Sequence, residues 1–243
     1  MGNNTGQRVV VIGGGIAGAS AAFALADHPS KPTVVLAEAE AQLAHHTTGR
    51  SAAQLILNYG ADPVRPLTSA SLGFLNDPPA DYCDGPLLTP QSVITVGTND
   101  QDEVLDAALA SGAAVNPEVR EIPIDEAAER FPPLRPDRFD RAILEDGSFD
   151  IDVAGLHQCF VRGFRDRGGR IAVLTRIDAA APRSGGGWTL STTDGPLVAD
   201  LVVNAAGAWG DVVAAAAGVA PVGLVPKRRT AFMVTSRWPE SPS

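Results

Sequence analysis

The run Gly13-Gly14-Gly15-Ile16-Ala17-Gly18 constrains this chain more than any other feature. It follows directly on RVVVI at 8–12, a short β-branched stretch of the kind buried in parallel sheets. It leads into 16–27, where Ala19, Ala22, Phe23 and Ala26 can share one packed helical face. A second apolar stretch, TVVLA at 33–37, ends at Glu38. Strand, glycine turn, helix and strand within about 30 residues make a βαβ unit. Gly13 permits the tight turn, Gly15 lets a diphosphate approach the backbone, and Gly18 lets helix and strand pack closely. With Ile16 and Ala17, these residues bring the N–H groups of a helix N-terminus to an anion. Glu38, 20 residues beyond Gly18, can accept hydrogen bonds from ribose hydroxyls and would repel a 2′-phosphate. A ligand-free tight turn is the competing reading, and the complete unit outweighs it.

Two later segments bear on which dinucleotide is bound. In DLVVNAAG (200–207), a strand-like run passes into small residues and is followed by Ala208, Trp209 and Gly210. Small residues there let the chain pass close to a ligand, although a buried strand leaving the core by a glycine turn would read the same way. In HHTTGRSAAQ (45–54), a hydroxyl-rich loop is expected to turn into a helix near Arg50 or Ser51, where phosphate or a flavin edge could sit. Arg50 is either a diphosphate partner or a solvated cation. His45 and His46 lack a third ligand at metal spacing and read as loop histidines, so no metal site is expected.

The remainder alternates strand-like and helix-like stretches. Helices are expected at 63–75, 100–111, 125–131, 152–167 and 211–217, and strands at 92–96, 141–145, 171–180, 188–192 and 197–205. His157 and Cys159 fall in the amphipathic helix and read as packing residues. Asp146, Asp150 and Asp152 read as a loop and a helix cap. The Pro- and Gly-rich stretch 77–90 is a candidate domain boundary. Cys83 and Cys159, far apart and without CxxC spacing, predict neither a disulfide framework nor zinc. The net charge of −9 disfavours nucleic acid as a partner. The polar residues before 8 do not form a secretory signal, and no stretch is apolar enough to span a bilayer, so the cytoplasm is the expected location. Only Lys31 and Lys227 among the 19 basic residues are lysines, a composition that suggests a GC-rich, bacterial genome.

VVVIGGGIAGASAAFALA, VVLAEAE, TTGRSAA, DLVVNAAGAWGDVVAAAAGV and VPKRRTAF occur in that order along the chain. Together they resemble the FAD-dependent oxidoreductases of the D-amino-acid oxidase superfamily, which includes glycine and sarcosine oxidases and D-amino-acid dehydrogenases. The resemblance implies an α/β fold, with a Rossmann-like FAD-binding domain and an interleaved, incomplete α+β substrate domain. It places the first domain at 1–78 and 142–220 and the second at 79–141 and 221–243.

The resemblance also implies roles for single residues. Gly13 to Gly18 would hold the diphosphate and Glu38 the adenosine ribose. Thr47, Thr48, Arg50, Ser51 and Ala52 would line the diphosphate, ribityl or isoalloxazine region. Ile177 would bind adenine through its backbone, and Ala206, Gly207 and Trp209 would pass near the flavin. Some relatives attach flavin through a histidine near the place of Arg50, which cannot form that bond, so FAD is expected to be non-covalent. The implied reaction is hydride transfer to flavin from the C–H beside an amine, on a small amine or amino-acid substrate. No catalytic acid or base is nominated. Lys227, Arg228 and Arg229 either support flavin or a substrate carboxylate or form a solvated cluster.

Relatives continue past the point matching Ser243. The expectation is therefore a chain whose completing part is missing or comes from a second subunit. Two other readings stay open: a non-catalytic flavin-binding chain or partner subunit, and an NAD-dependent dehydrogenase built on the same βαβ unit.

Overall fold

The computed structural model describes residues 6–61, 63–228 and 230. Its strands and helices run β1 (Arg8–Ile12), α1 (Ile16–Asp27), β2 (Thr33–Ala37), β3 (Gln54–Leu55), α2 (Arg65–Asn76), β4 (Leu88–Gly97), α3 (Asp102–Ala113), β5 (Val119–Ile122) and α4 (Ile124–Arg130). They continue as β6 (Arg141–Ile151), α5 (Val153–Asp166), β7 (Arg170–Ala172), β8 (Ile177–Pro182), β9 (Trp188–Thr192), β10 (Leu197–Ala199), β11 (Leu201–Asn204) and α6 (Gly210–Ala216). The chain forms two compact units.

Among the described residues, the first unit holds 6–51, Pro78–Gly85 and 153–228. Its centre is a parallel sheet in the order β11-β1-β2-β7. Val9, Val10 and Val11 are all buried because both faces of β1 are covered. Val9 and Val11 meet Ala22 and Ala26 of α1, and Phe164 of α5. Val10 and Ile12 meet Leu190 and Ala199 of a three-stranded antiparallel sheet, β10-β9-β8. Burying each such side chain contributes about 1.5–3 kcal/mol, so a continuous β-branched run is stable only as an inner strand.

Two stretches that read as single strands are each divided between two sheets. The run 171–180 becomes β7 in the parallel sheet and β8 in the antiparallel one, with Leu174 between them at φ 54°. The run 197–205 becomes β10 and β11, broken at Asp200. There Arg8 donates to the Asp200 carboxylate from its backbone N–H at 2.8 Å and from its guanidinium at 2.5 and 3.1 Å. Alternating apolar residues cannot reveal such a break, because both halves are apolar on one face.

The cysteine expectation is corrected. Cys83 and Cys159 form a disulfide, with a Cα–Cα separation of 4.8 Å. It ties 78–85 to α5, where Arg162 also pairs with Asp84 at 2.5 Å and Tyr82 donates to Asp166 at 3.1 Å. Sequence distance carried no information, because the chain leaves the first unit after Gly85 and re-enters it at Val153.

The second unit comprises Ala52–Asp77 and Pro86–Asp152. In its sheet β3 and β4 flank β6, and β5 also pairs with β6. Along β6, Ala142 and Leu144 pack with Ala127 of α4, while Ile143 faces the other way to Leu105 of α3, the period-two alternation of a strand. Arg141 reaches Asp102, Asp106 and Glu121 at 2.8–3.0 Å and so pins α3 and β5 to β6. The contacts divide the chain differently from the boundaries at 78 and 142: 52–77 and 142–152 go with the second unit. The reason is β6, which runs to Ile151 rather than ending at Glu145 and pairs with β3, β4 and β5. The helix expected after Arg50 is absent. A single 3-10 turn (Thr48–Arg50) gives way to β3, with Ala53 at φ 60°. The segments 229 and 231–243, and with them Arg229, lie outside the described residues.

Candidate functional site

In the parallel sheet, α1 follows β1 on one side, while β11 joins β1 on the other. The strand order therefore reverses between β1 and β11, the position where open α/β sheets bind ligands beyond their strand C-termini. A cavity of about 340 Å³ lies there. It is lined by Gly13, Gly14 and Gly15 after β1, Glu38 and Glu40 after β2, Thr47 and Thr48, Ile177 of β8, and Ala205 to Trp209 after β11.

The loop is built from steric necessity. Gly13 adopts φ 109°, and a Cβ on it would overlap the Ala205 carbonyl oxygen. A Cβ on Gly18 would overlap the Gly13 carbonyl oxygen, which explains the close contact of helix and strand. Gly14 is equally confined: its Cβ would strike Leu43 and come within 2.9 Å of Glu38 Oε2. At Gly15 a Cβ would meet only Thr48 Oγ1, at 3.1 Å, so this position is open on its cavity side. Ile16 N–H, one of the first-turn donors that a helix cannot satisfy itself, donates to Thr48 Oγ1 at 3.0 Å.

Glu38 is held in place by backbone. Gly14 N–H donates to Oε2 at 2.6 Å and Glu40 N–H to Oε1 at 2.9 Å. Each carboxylate oxygen has a second lone pair, which leaves acceptors for a pair of ribose hydroxyls. The carbonyl of Glu38 accepts from Thr175 N–H at 2.8 Å, bringing the stretch before Ile177 to the cavity wall.

The structure thus brings Gly13, Gly15, Glu38, Thr47, Thr48, Ile177, Ala206, Gly207 and Trp209 to one cavity. Ile16, Ala17 and Gly18 lie behind it on α1, and Arg50, Ser51 and Ala52 are not among its lining residues. Sequence reasoning missed Glu40, Thr175, Arg176, Val212 and Val213, and it set His45 and His46 aside. His46 contacts Glu40 at 2.9 Å and packs against Trp209 with ring centroids 4.6 Å apart. Glu40 also supplies a third group beside the two histidines: one ligand atom from each residue lies within 4.8 Å of the others. Folding brings that third group close, and the linear spacing could not show it. The guanidinium of Arg176 is committed to Asp178 at 2.7 Å, which raises its pKa.

A second cavity, about 440 Å³, lies within the second unit beside Tyr59, Arg65, Val93, Ala107 and Glu145. Burial pushes the Glu145 carboxyl up, opposed by the polar groups of Ser148 and Asn58 near it. Among the described residues, no helix is long and apolar enough to cross a membrane.

The first cavity fits a dinucleotide by its own chemistry: a side-chain-free loop, helix N–H groups and a fixed carboxylate with spare acceptors. The family described as "FAD dependent oxidoreductase" (DAO) matches residues 8–243. Mitochondrial dimethylglycine dehydrogenase of Rattus norvegicus is 30% identical over 112 residues, which are 46% of this chain and 13% of that protein. Among solved structures, glycine oxidase from Geobacillus kaustophilus superposes with a TM-score of 0.74 at 23% identity, covering 87% of this chain and 59% of that one. L-α-glycerophosphate oxidase from Mycoplasma pneumoniae, solved with FAD bound, gives 0.76 at 19% identity, covering 87% and 57%. The chain therefore spans less than two thirds of the length of these proteins.

Proposed function

The chain belongs to the DAO family of FAD-dependent oxidoreductases, and on that premise we propose that it oxidises the C–N bond of an amino acid or secondary amine, of the D-amino-acid, glycine or sarcosine type. The observation that carries this reading is the cavity at the β1/β11 reversal, where the glycine loop, Glu38 and the Ala205–Trp209 turn converge. The family assignment sets the NAD-dependent alternative aside. The amine class is favoured because two of the similar proteins are named for glycine and for dimethylglycine.

In this reading the Gly15 N–H would face the FAD diphosphate at the N-terminal end of α1, with Gly13 and Gly18 fixing the turn and Ile16 and Ala17 behind it, where the Ile16 N–H is held by Thr48 Oγ1. Glu38 would accept from the adenosine ribose, and Ile177 would meet adenine through its backbone. Thr47 and Thr48 would flank the diphosphate, while Ala206, Gly207 and Trp209 would pass along the cofactor. What FAD supplies when bound is acceptance of a hydride, at flavin N5, from the C–H beside the amine. The protein's contribution is position: it holds cofactor and substrate in one orientation and needs no dedicated acid or base. FAD is held non-covalently, since Arg50 stands where some relatives carry an attaching histidine.

Anaerobic reduction tests the proposal. Purified chain should show the visible bands of oxidised flavin, and these should bleach with glycine, sarcosine or a D-amino acid. Bleaching by glycerol 3-phosphate alone would refute the amine class. A flavin-loaded chain that none of them bleaches would restrict its role to flavin binding. Acid precipitation should leave the flavin in the supernatant.

A further inference from the structure

His157 of α5 is buried, at 2% exposure, and its Nε2 lies 2.9 Å from the carbonyl oxygen of Gly14. A carbonyl only accepts, so Nε2 carries the proton and donates. The same oxygen accepts a second hydrogen bond from Ala44 N–H at 3.1 Å. On the other side of the residue, Gly14 N–H donates to Glu38 Oε2 at 2.6 Å. Gly14, with no side chain to hold it, is therefore fixed by α5, by the loop after β2 and by Glu38.

The direction of that anchoring matters. In a planar trans peptide the C=O of one residue and the N–H of the next point opposite ways. With Gly14 C=O drawn toward His157, the N–H of Gly15 is turned away from α5. Gly15 lines the cavity and His157 does not. We propose that His157 is a positioning residue for the dinucleotide loop: by anchoring Gly14 C=O it aims the Gly15 N–H at the cofactor's diphosphate. The inference rests on the FAD reading above. An ordinary buried histidine would need only some acceptor for its proton; this one takes its acceptor from the peptide that carries the donor for the ligand.

The test compares FAD, ADP and adenosine on the cofactor-free 243-residue chain and on His157→Leu and His157→Gln. FAD affinity is read by flavin fluorescence and the other two by competition. His157→Leu should weaken FAD and ADP about tenfold, the scale of one lost hydrogen bond, while adenosine, which lacks the diphosphate, should change by less than about twofold. His157→Gln keeps an N–H donor and should recover most of the loss. Nitrogen-15 spectra of the wild type should show the Nε2–H tautomer. Equal losses for ADP and adenosine would mean general damage and would overturn the proposal, as would unchanged ADP binding. If His157→Leu does not fold, His157→Met and His157→Gln decide by the same comparison. A wild-type chain that binds ADP but not FAD would instead sink the flavin reading, while the ADP comparison still judges His157.

Discussion

Breaking the Cys83–Cys159 bond should lower the stability of the first unit by a calculable amount. The two residues are 76 apart in sequence, and closing a loop of that length removes about 4.5 kcal/mol of chain entropy from the unfolded state at 25 °C. That value is a ceiling, and the usual effect of losing a native disulfide is about 2–4 kcal/mol. The folded side should change little. Arg162–Asp84 and Tyr82–Asp166 still hold 78–85 on α5, and Arg167 still lies over the rings of Phe23 and Tyr82 at 4.5 and 4.9 Å. Cys83→Ala is the cleaner variant, because Cys159 is fully buried and a polar replacement there would add its own cost. Urea denaturation followed by far-UV circular dichroism should show a lower midpoint. The slope should rise somewhat, because the unlinked unfolded chain exposes more surface. Unfolding free energies agreeing within about 0.5 kcal/mol, against the expected loop entropy, would refute the reasoning. Two titratable thiols in the denatured, unreduced protein would refute the bond itself.

Four further outcomes are expected. Gly18→Ala should cost about 1–3 kcal/mol by forcing a methyl against the Gly13 carbonyl, read as a fall in melting temperature of the cofactor-free protein. Glu38→Gln should weaken FAD about tenfold, since a neutral amide replaces the charged acceptor that holds Gly14 and Glu40 and faces the ribose; fluorescence titration measures it. Leu144→Ala, at a fully buried position of β6, should destabilise the second unit by about 2–5 kcal/mol, seen as earlier exchange of the β6 amides. The Arg8 guanidinium pulls the Asp200 carboxyl down from 3.8 to about 2. A depressed acid stabilises the fold above its unfolded pKa, so this contribution is complete above about pH 4 and is lost as the pH falls toward 2. Acid titration of Asp200→Asn should lack that component, and an unchanged profile would count against it.

The βαβ unit was legible because every instruction for it is local. VVVI at 9–12 is apolar throughout, the glycines stand at the G-x-G-x-x-G spacing, and Glu38 sits at the end of the next strand; that pattern is read without any distant residue. The family resemblance extended this to FAD and to the turn at 205–209. What stayed hidden depends on meetings between residues remote in sequence. His157 read as core packing until α5 placed its Nε2 on Gly14, 143 residues away. Arg50, Ser51 and Ala52 were expected at the start of a helix; instead Arg50 closes a 3-10 turn, 51–53 are irregular, and the chain then pairs with β6 through Gln54 and Leu55.

By itself, then, the sequence determined the dinucleotide loop, its carboxylate and the parallel strands behind them, because backbone sterics and hydrophobic runs act within a few residues. Only the tertiary structure decided how the glycine loop is braced, which sheet each half of a strand-like run enters, and that two distant cysteines meet. Those outcomes are set by the packing free energy of the whole chain, and no local window contains it.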